Sequence, residues 1–202
     1  MRAPTTPKQQ ERFNRILDAA AQELLDMRDD STAVDRIAQR SGTSKATIYR
    51  YFGDKVGLER AMVAWLCERA RDPLEDIIAD RDNARVTMMA IGQAFASGVL
   101  NRNVMDLHRY VVARASTHPE LGEIFWEAGP KRTYGAASRL ISSLELPDHL
   151  KAIPSRHLAE CFLNMLTSSL QLSYFCLGDA VLDDYDMHQR IDHAVTALGF
   201  ID

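Results

Sequence analysis

Residues 45–51 bring Lys45, Thr47, Tyr49, Arg50 and Tyr51 into two helical turns, with Ile48 and Phe52 as the large apolar anchors. The stretch before them, Ser41-Gly42-Thr43-Ser44, supplies a turn. Gly42 accepts the positive φ that ends a helix sharply, and Ser44 can cap the next helix by accepting a free backbone N–H. A helix this short cannot bury a face of its own; neighbours hold it, and its polar side is left to meet something else. Donors and cations on an exposed short helix after a tight turn point to a DNA-reading helix-turn-helix.

The chemistry divides these side chains into two groups. Lys45 can donate to guanine O6 or N7, and Thr47 can offer a hydroxyl to a base edge or a methyl to thymine. Tyr49, Tyr51 and Lys55 are assigned to phosphate, where they position the protein without specifying sequence. Lys55 stands one position inside a helix that Asp54 caps, so its ammonium and the positive helix end act together as a phosphate clamp. Arg50 stays open between a phosphate contact and an exposed salt bridge. Half of the Tyr49 ring suits packing between helices equally well.

The elements that must position them are helical. Thr6-Pro7-Lys8-Gln9 predicts a helix start, with Thr6 as cap, Pro7 first in the helix and Gln9 closing a capping box. Phe13, Ile16, Leu17, Ala20, Ala21, Leu24 and Leu25 continue it over residues 7–27. A loop at 28–31 follows. Thr32 and Asp35 predict a second capping box, opening a short helix to Arg40 that buries Val34, Ile37 and Ala38. The recognition helix covers about 44–50, and the helix from Asp54 turns Leu58, Ala61, Met62, Trp65 and Leu66 inward.

Three segments, Thr32-Ala33-Val34-Asp35-Arg36-Ile37-Ala38, the stretch 41–52 and Asp54-Lys55-Val56-Gly57-Leu58, together resemble the N-terminal domain of TetR-family transcriptional regulators. Thr43 stands where that family often has Val, and Ala46 where it often has Gly, which bears on how closely the backbone approaches DNA. The resemblance implies that Thr43 and Ser44 also lie at the mouth of the groove. It brings Lys8 and Arg12 near phosphate, against the plainer reading of a solvated helix end. Within 118–144, His118-Pro119-Glu120-Leu121-Gly122-Glu123-Ile124-Phe125-Trp126-Glu127-Ala128-Gly129-Pro130 resembles the C-terminal domain of the AefR-like subgroup. That likeness implies an effector-binding, dimerising body and no particular ligand.

Composition agrees with such a division. The 202 residues are 46% hydrophobic and 26% charged, enough for one or two packed domains. Net charge is −4, but residues 1–60 hold 11 Lys+Arg against 9 Asp+Glu, leaving the acidic excess on the rest. A basic head on an acidic body orients an approach to phosphate. No apolar run is long enough for a membrane span, and the first residues lack the apolar core of a secretory signal, so a cytoplasmic protein is expected. Cys67, Cys161 and Cys176 lie in apolar contexts without a CxxC, as small buried side chains do in a reducing cytosol. No Glu-x-x-His pair, glycine-rich phosphate loop or GxSxG is present, so neither enzyme activity nor a cofactor is expected. His188 and His193 near Asp183, Asp184, Asp186 and Asp192 suit a solvated helix start better than a metal site.

Beyond residue 70 the pattern stays helical, with a break at Asp72-Pro73 and helices near 83–101, 103–117, 131–145, 155–177 and 184–199. The expected fold is all-α: a helix-turn-helix head over 1–53, then an effector-binding and dimerisation domain over 54–202. Met88, Phe95, Met105, Trp126, Phe162, Met165 and Tyr174 are candidates to line an apolar ligand pocket, with His108, Arg109 or Asn164 as its polar contacts. Each apolar member also suits plain core. The last two helices form the candidate dimer seam, where small Thr167, Ser168, Ser169 and Ser173 admit a partner helix. Two heads on a two-fold axis would read a palindrome in double-stranded DNA with half-sites about 34 Å apart or a multiple of that. The expected function is that of a ligand-released repressor. An activator, or a regulator that needs no ligand, would carry the same head.

Overall fold

The computed structural model describes residues 4–26, 32–70, 73–80, 82–182 and 185–201. Among these it is all-α, without strands. The helices in chain order are α1 (Pro7–Leu24), α2 (Ala33–Arg40), α3 (Lys45–Phe52), α4 (Lys55–Arg69), α5 (Ala84–Val99), α6 (Arg102–Ala115), α7 (Pro119–Ala128), α8 (Pro130–Ser142), α9 (Ser155–Leu177) and α10 (Met187–Ala197). The loop expected at 28–31 and residues Asp72, Asp183 and Asp184 lie outside the described residues. Packing groups the chain into two compact units, one from Met1–Ala70 with Asp106–Ala128, the other from Arg71–Met105 with Gly129–Asp202. No described helix is long and apolar enough to cross a membrane.

In the first unit, α1 starts as its sequence demands: Thr6 Oγ1 accepts the Gln9 N–H at 3.3 Å, and Pro7 occupies the first turn. The Gln9 side chain returns its bond one residue further out than a capping box would, to the Thr5 N–H at 2.8 Å. The capping box expected for α2 does not form. Thr32 Oγ1 accepts from Arg36 at 2.6 Å, and the Asp35 carboxylate turns to Lys45. Ile16, Leu17, Ala20, Ile37, Ile48, Phe52, Leu58 and Met62 close one core, which Leu107, Tyr110, Val111 and Leu121 of α6 and α7 complete. Because α4 buries Leu58, Met62 and Val63 here, it packs with the head rather than apart from it.

A carboxylate clamps α1 to α2. Glu23 receives Arg36 Nε and Arg40 Nε at 2.7 Å each, and the two guanidinium groups hold its carboxyl below the usual range. A depressed folded-state pKa adds stability above the unfolded value of about 4.3, and that stability is lost as pH falls through the folded value. Urea unfolding should therefore separate wild type from Glu23→Gln near neutral pH and bring them together as pH falls below about 4. A gap of constant size across that range would contradict the clamp.

The second unit packs α5, α8, α9 and α10 around Ile91, Phe95, Ala137, Phe162, Leu163, Leu166 and Ile191. Helices α5 and α10 approach so closely that a Cβ on Gly92 would lie 2.6 Å from Ile191 Cγ2 and 3.2 Å from Phe162 Cζ. Arg85 reinforces the contact, donating to the Phe200 carbonyl at 2.6 Å and to the Asp192 carboxylate. Helix α9 has two apolar faces. Leu158, Phe162, Leu166 and Leu170 are buried, whereas Cys161, Met165, Ser168, Leu172 and Cys176 form an exposed stripe at intervals of three and four. The expectation of three buried cysteines holds for Cys67; Cys161 and Cys176 are exposed.

Candidate nucleic-acid interface

The turn before α3 is closed by backbone bonds. Gly42 takes φ +63°, the Thr43 N–H donates to the Ala38 carbonyl at 3.0 Å, and the Gly42 N–H donates to Gln39 at 3.2 Å. This pair satisfies the carbonyls at the end of α2 and aims the chain straight into the next helix. Ser44 caps α3 by accepting the Thr47 N–H at 3.2 Å, and its hydroxyl lies 3.1 Å from that of Thr47. Gly53, at φ +85°, ends the helix, and Asp54 starts α4 by accepting the Gly57 N–H at 2.7 Å. Eight residues of α3 are thus pinned at both ends by local groups, while Ile48, Tyr51 and Phe52 anchor its buried side.

The opposite side of α3 is polar and open. Ser44, Lys45, Tyr49 and Arg50 are exposed, and Thr43 and Thr47 are half-buried. Tyr49 keeps 41% of its surface. Lys45 Nζ meets Asp35 at 2.6 Å, and this bond raises the lysine pKa, so the ammonium stays charged. Both partners are about half exposed, so solvent screens the pair.

Tyr51 departs from the expectation. It is 5% exposed, its ring lies 5.8 Å edge-on to Phe13 and 6.1 Å from Phe52, and it belongs to the core rather than to a phosphate contact. The face of α3 opposite Lys45 and Arg50 is the one that α1 covers, so position 51 turns inward with position 48. Arg50 stays on the outside, its guanidinium 5.8 Å from the Tyr51 ring centre. Lys55 stands at the start of α4, 3.8 Å from Glu59 Oε1.

Three residues of the site lie outside the set expected from sequence. Asp35 holds Lys45. Glu59 is fully buried beside Lys55, and Arg114 of α6 donates to both its oxygens, at 3.1 and 3.0 Å. The Lys55–Glu59 spacing of four was visible along a helix; nothing local in the sequence marks Arg114.

The residues expected around a ligand fall in both units. In the second, Met88, Phe95 and Phe162 are packed core, and Met105 and Tyr174 are buried. Met165 is 38% exposed on the outer stripe of α9, where its carbonyl accepts from Arg190, so it does not face an interior space. Asn164 is exposed beside it. In the first unit His108 stacks on Phe125 at 5.2 Å, and burial lowers its pKa, keeping it neutral. Arg109 pairs with Asp106 at 2.8 Å, and Trp126 is 44% exposed. The second unit carries an open groove of about 200 Å³ lined by Gln93, Ala96, Leu100, Leu170, Tyr185 and Met187 among others. Among the described residues no three His, Cys, Asp or Glu side chains converge as metal ligands would.

A side-chain-capped helix set after a glycine turn, with its polar face open on an all-α chain, defines a helix-turn-helix DNA-binding regulator. The family described as bacterial regulatory proteins, tetR family, matches residues 16–62, and the AefR-like transcriptional repressor C-terminal domain matches residues 86–198. The chain belongs to the TetR family, whose members are DNA-binding transcription factors and not enzymes. No curated protein matches it. Among solved structures, a TetR-family regulator from Mesorhizobium loti is similar at 18% identity, with a TM-score of 0.78 over 96% of this chain and 97% of that one. The flavonoid-responsive regulator FrrA is 21% identical, with a TM-score of 0.67 over 94% and 95% of the two chains. FadR from Bacillus subtilis, in complex with stearoyl-CoA, is 13% identical, with a TM-score of 0.59 over 94% and 100%.

Proposed function

We propose that this protein is a homodimeric repressor that occupies a palindromic operator and is released from it by a small lipophilic ligand. The reading divides the chain by role into a DNA-binding head, 1–53, and an effector-binding and dimerising body, 54–202. The open polar face of α3 supports it: on this reading Lys45 and Thr47 meet base edges, Thr43 and Ser44 lie at the mouth of the groove, Tyr49 and Lys55 meet phosphate, and Arg50 is exposed beside them. The exposed stripe of α9 supports a second copy as its cover. Two similar folds, FrrA and FadR, are named for a flavonoid response and solved with stearoyl-CoA, which favours a lipophilic ligand. The groove of about 200 Å³ is below the roughly 300–1,000 Å³ of ordinary ligand sites, so a ligand enters by displacing side chains of the second unit. Differential affinity of about 1–3 kcal/mol between the bound and free states suffices for ordinary coupling.

The test is selection of a binding site from random duplex DNA, followed by fluorescence anisotropy on the selected operator. Lys45→Ala is expected to cost about 1–3 kcal/mol of discrimination at one base pair of each half-site while weakening random DNA little. Unchanged preference at every position would remove Lys45 from the reading set. Failure to select any duplex would end the proposal.

A further inference from the structure

The exposed side of α9 reads the same from either end. Cys161, Met165, Ser168, Ser169, Leu172 and Cys176 are exposed, and at about 100° per residue they lie within about 50° of one line along the helix. The point between Ser168 and Ser169 is a centre of symmetry for this row. Met165 and Leu172 are equally far from it on opposite sides, and so are Cys161 and Cys176. Burial keeps the same symmetry, since Thr167 and Leu170 are buried, and so are Leu163 and Tyr174. An antiparallel copy of the helix, on a two-fold axis through that centre, would set small against small, apolar against apolar and thiol against thiol.

We propose that Cys161 of one subunit and the partner's Cys176 are joined by a disulfide that a peroxide forms across the α9 seam, twice per dimer. The inference rests on the reading of α9 as the dimer seam. Helices in contact lie about 8–10 Å apart, with Cα atoms about 2.3 Å off each axis, so facing Cα atoms come within the roughly 4.4–6.8 Å of a disulfide. The serines at the centre admit that close approach. The cysteines are about 11 Å from the centre, where a bundle crossing of about 20° displaces the axes by only about 4 Å. Both thiols are free and exposed, at the two ends of the row, whereas Cys67 is buried in the first unit. One thiolate attacks the peroxide: an S–O bond forms, the O–O bond breaks, and hydroxide leaves and takes up a proton. The facing thiolate then attacks that sulfur: an S–S bond forms, the S–O bond breaks, and a second hydroxide leaves. Two thiols and one hydrogen peroxide give one disulfide and two waters; the sulfur pair loses two electrons and the peroxide gains them. A linked pair cannot dissociate on dilution, so the redox state sets how far dimerisation depends on concentration.

The test uses the full-length protein and hydrogen peroxide. Sedimentation velocity under dithiothreitol should first show dimers; monomers would refute the seam reading, and this inference with it. Peroxide should then give a band of twice the chain mass on non-reducing electrophoresis, and dithiothreitol should abolish it. Peptide mass spectrometry should find Cys161 linked to Cys176. The two are about 22 Å apart along one helix, so such a link joins two subunits. Cys161→Ser and Cys176→Ser are surface substitutions that keep the fold, and each alone should lose the band. Mixed and left to exchange subunits before oxidation, the two variants should recover it in about half of the dimers, those holding one of each. A reduced dimer that forms no 161–176 link leaves the seam reading standing and overturns this inference. So does a band from either variant alone, or none from the mixture, since each result requires another register.

Discussion

Leu172→Glu is expected to convert the protein to monomers and to raise the operator Kd about 10²–10⁴-fold, the range that linkage of two binding events contributes. Leu172 keeps 65% of its surface exposed on the outer stripe of α9. One exposed leucine on a protein surface is ordinary, but this one is in line with Cys161, Met165, Ser168 and Cys176, and Leu177 beyond is 74% exposed. The row extends about 22 Å along the helix at 1.5 Å per residue. Arg190 of α10 braces its flank by donating to the Met165 carbonyl at 3.0 Å and the Ser169 hydroxyl at 2.9 Å. In the proposed homodimer the same stripe faces itself across a two-fold axis, so one glutamate per chain would put two like charges into an apolar seam. Loss of the proposed pair would leave each head with a single half-site. Sedimentation velocity should show monomers, and circular dichroism should show an unchanged fold. Ile78→Glu, at a residue 93% exposed and off the stripe, is the control expected to leave the dimer intact. Dimers of Leu172→Glu at wild-type concentrations would relocate the interface.

Phe162→Ala is expected to cost about 3–5 kcal/mol of folding free energy, a large share of the roughly 5–15 kcal/mol available to a domain. The ring has no exposed surface and rests where α5 and α10 close on Gly92. Neighbours pinned this tightly cannot move in to fill the space, which puts the cost toward the upper end of the range. Urea or thermal unfolding measures it. The result also separates two readings of the same residue. Packed core predicts the full loss, whereas a ring lining a ready-made ligand cavity would leave little behind on truncation. A loss below about 1 kcal/mol would favour the cavity.

The helix-turn-helix was legible from a short stretch because everything that builds it is local. Gly42 frees the turn, Ser44 caps α3 and Asp54 caps α4, each through atoms within five residues, and the helix bounds expected and found differ by at most three residues. Tyr51 was not legible as core. Its side of α3 was decided by Phe13 on α1, and a tyrosine among cations suits phosphate as well as packing. The same limit explains Thr32 and Asp35, whose capping box lost to partners on other positions, Arg36 and Lys45.

Residues 155–177 are apolar on two sides, so periodicity along the chain cannot say which side closes the monomer; α5, α8 and α10 choose Leu158, Phe162 and Leu166 and leave Met165 and Leu172 outside. Arg114 and Glu59 are 55 positions apart and meet only in the folded first unit. By itself the sequence determined the helices, the turn and the family, because capping, positive φ and helical period act within a few residues. Burial and charge pairing, which decide Tyr51, Met165, Cys161 and Arg114, depend on residues far apart in the chain, and the tertiary structure alone sets them.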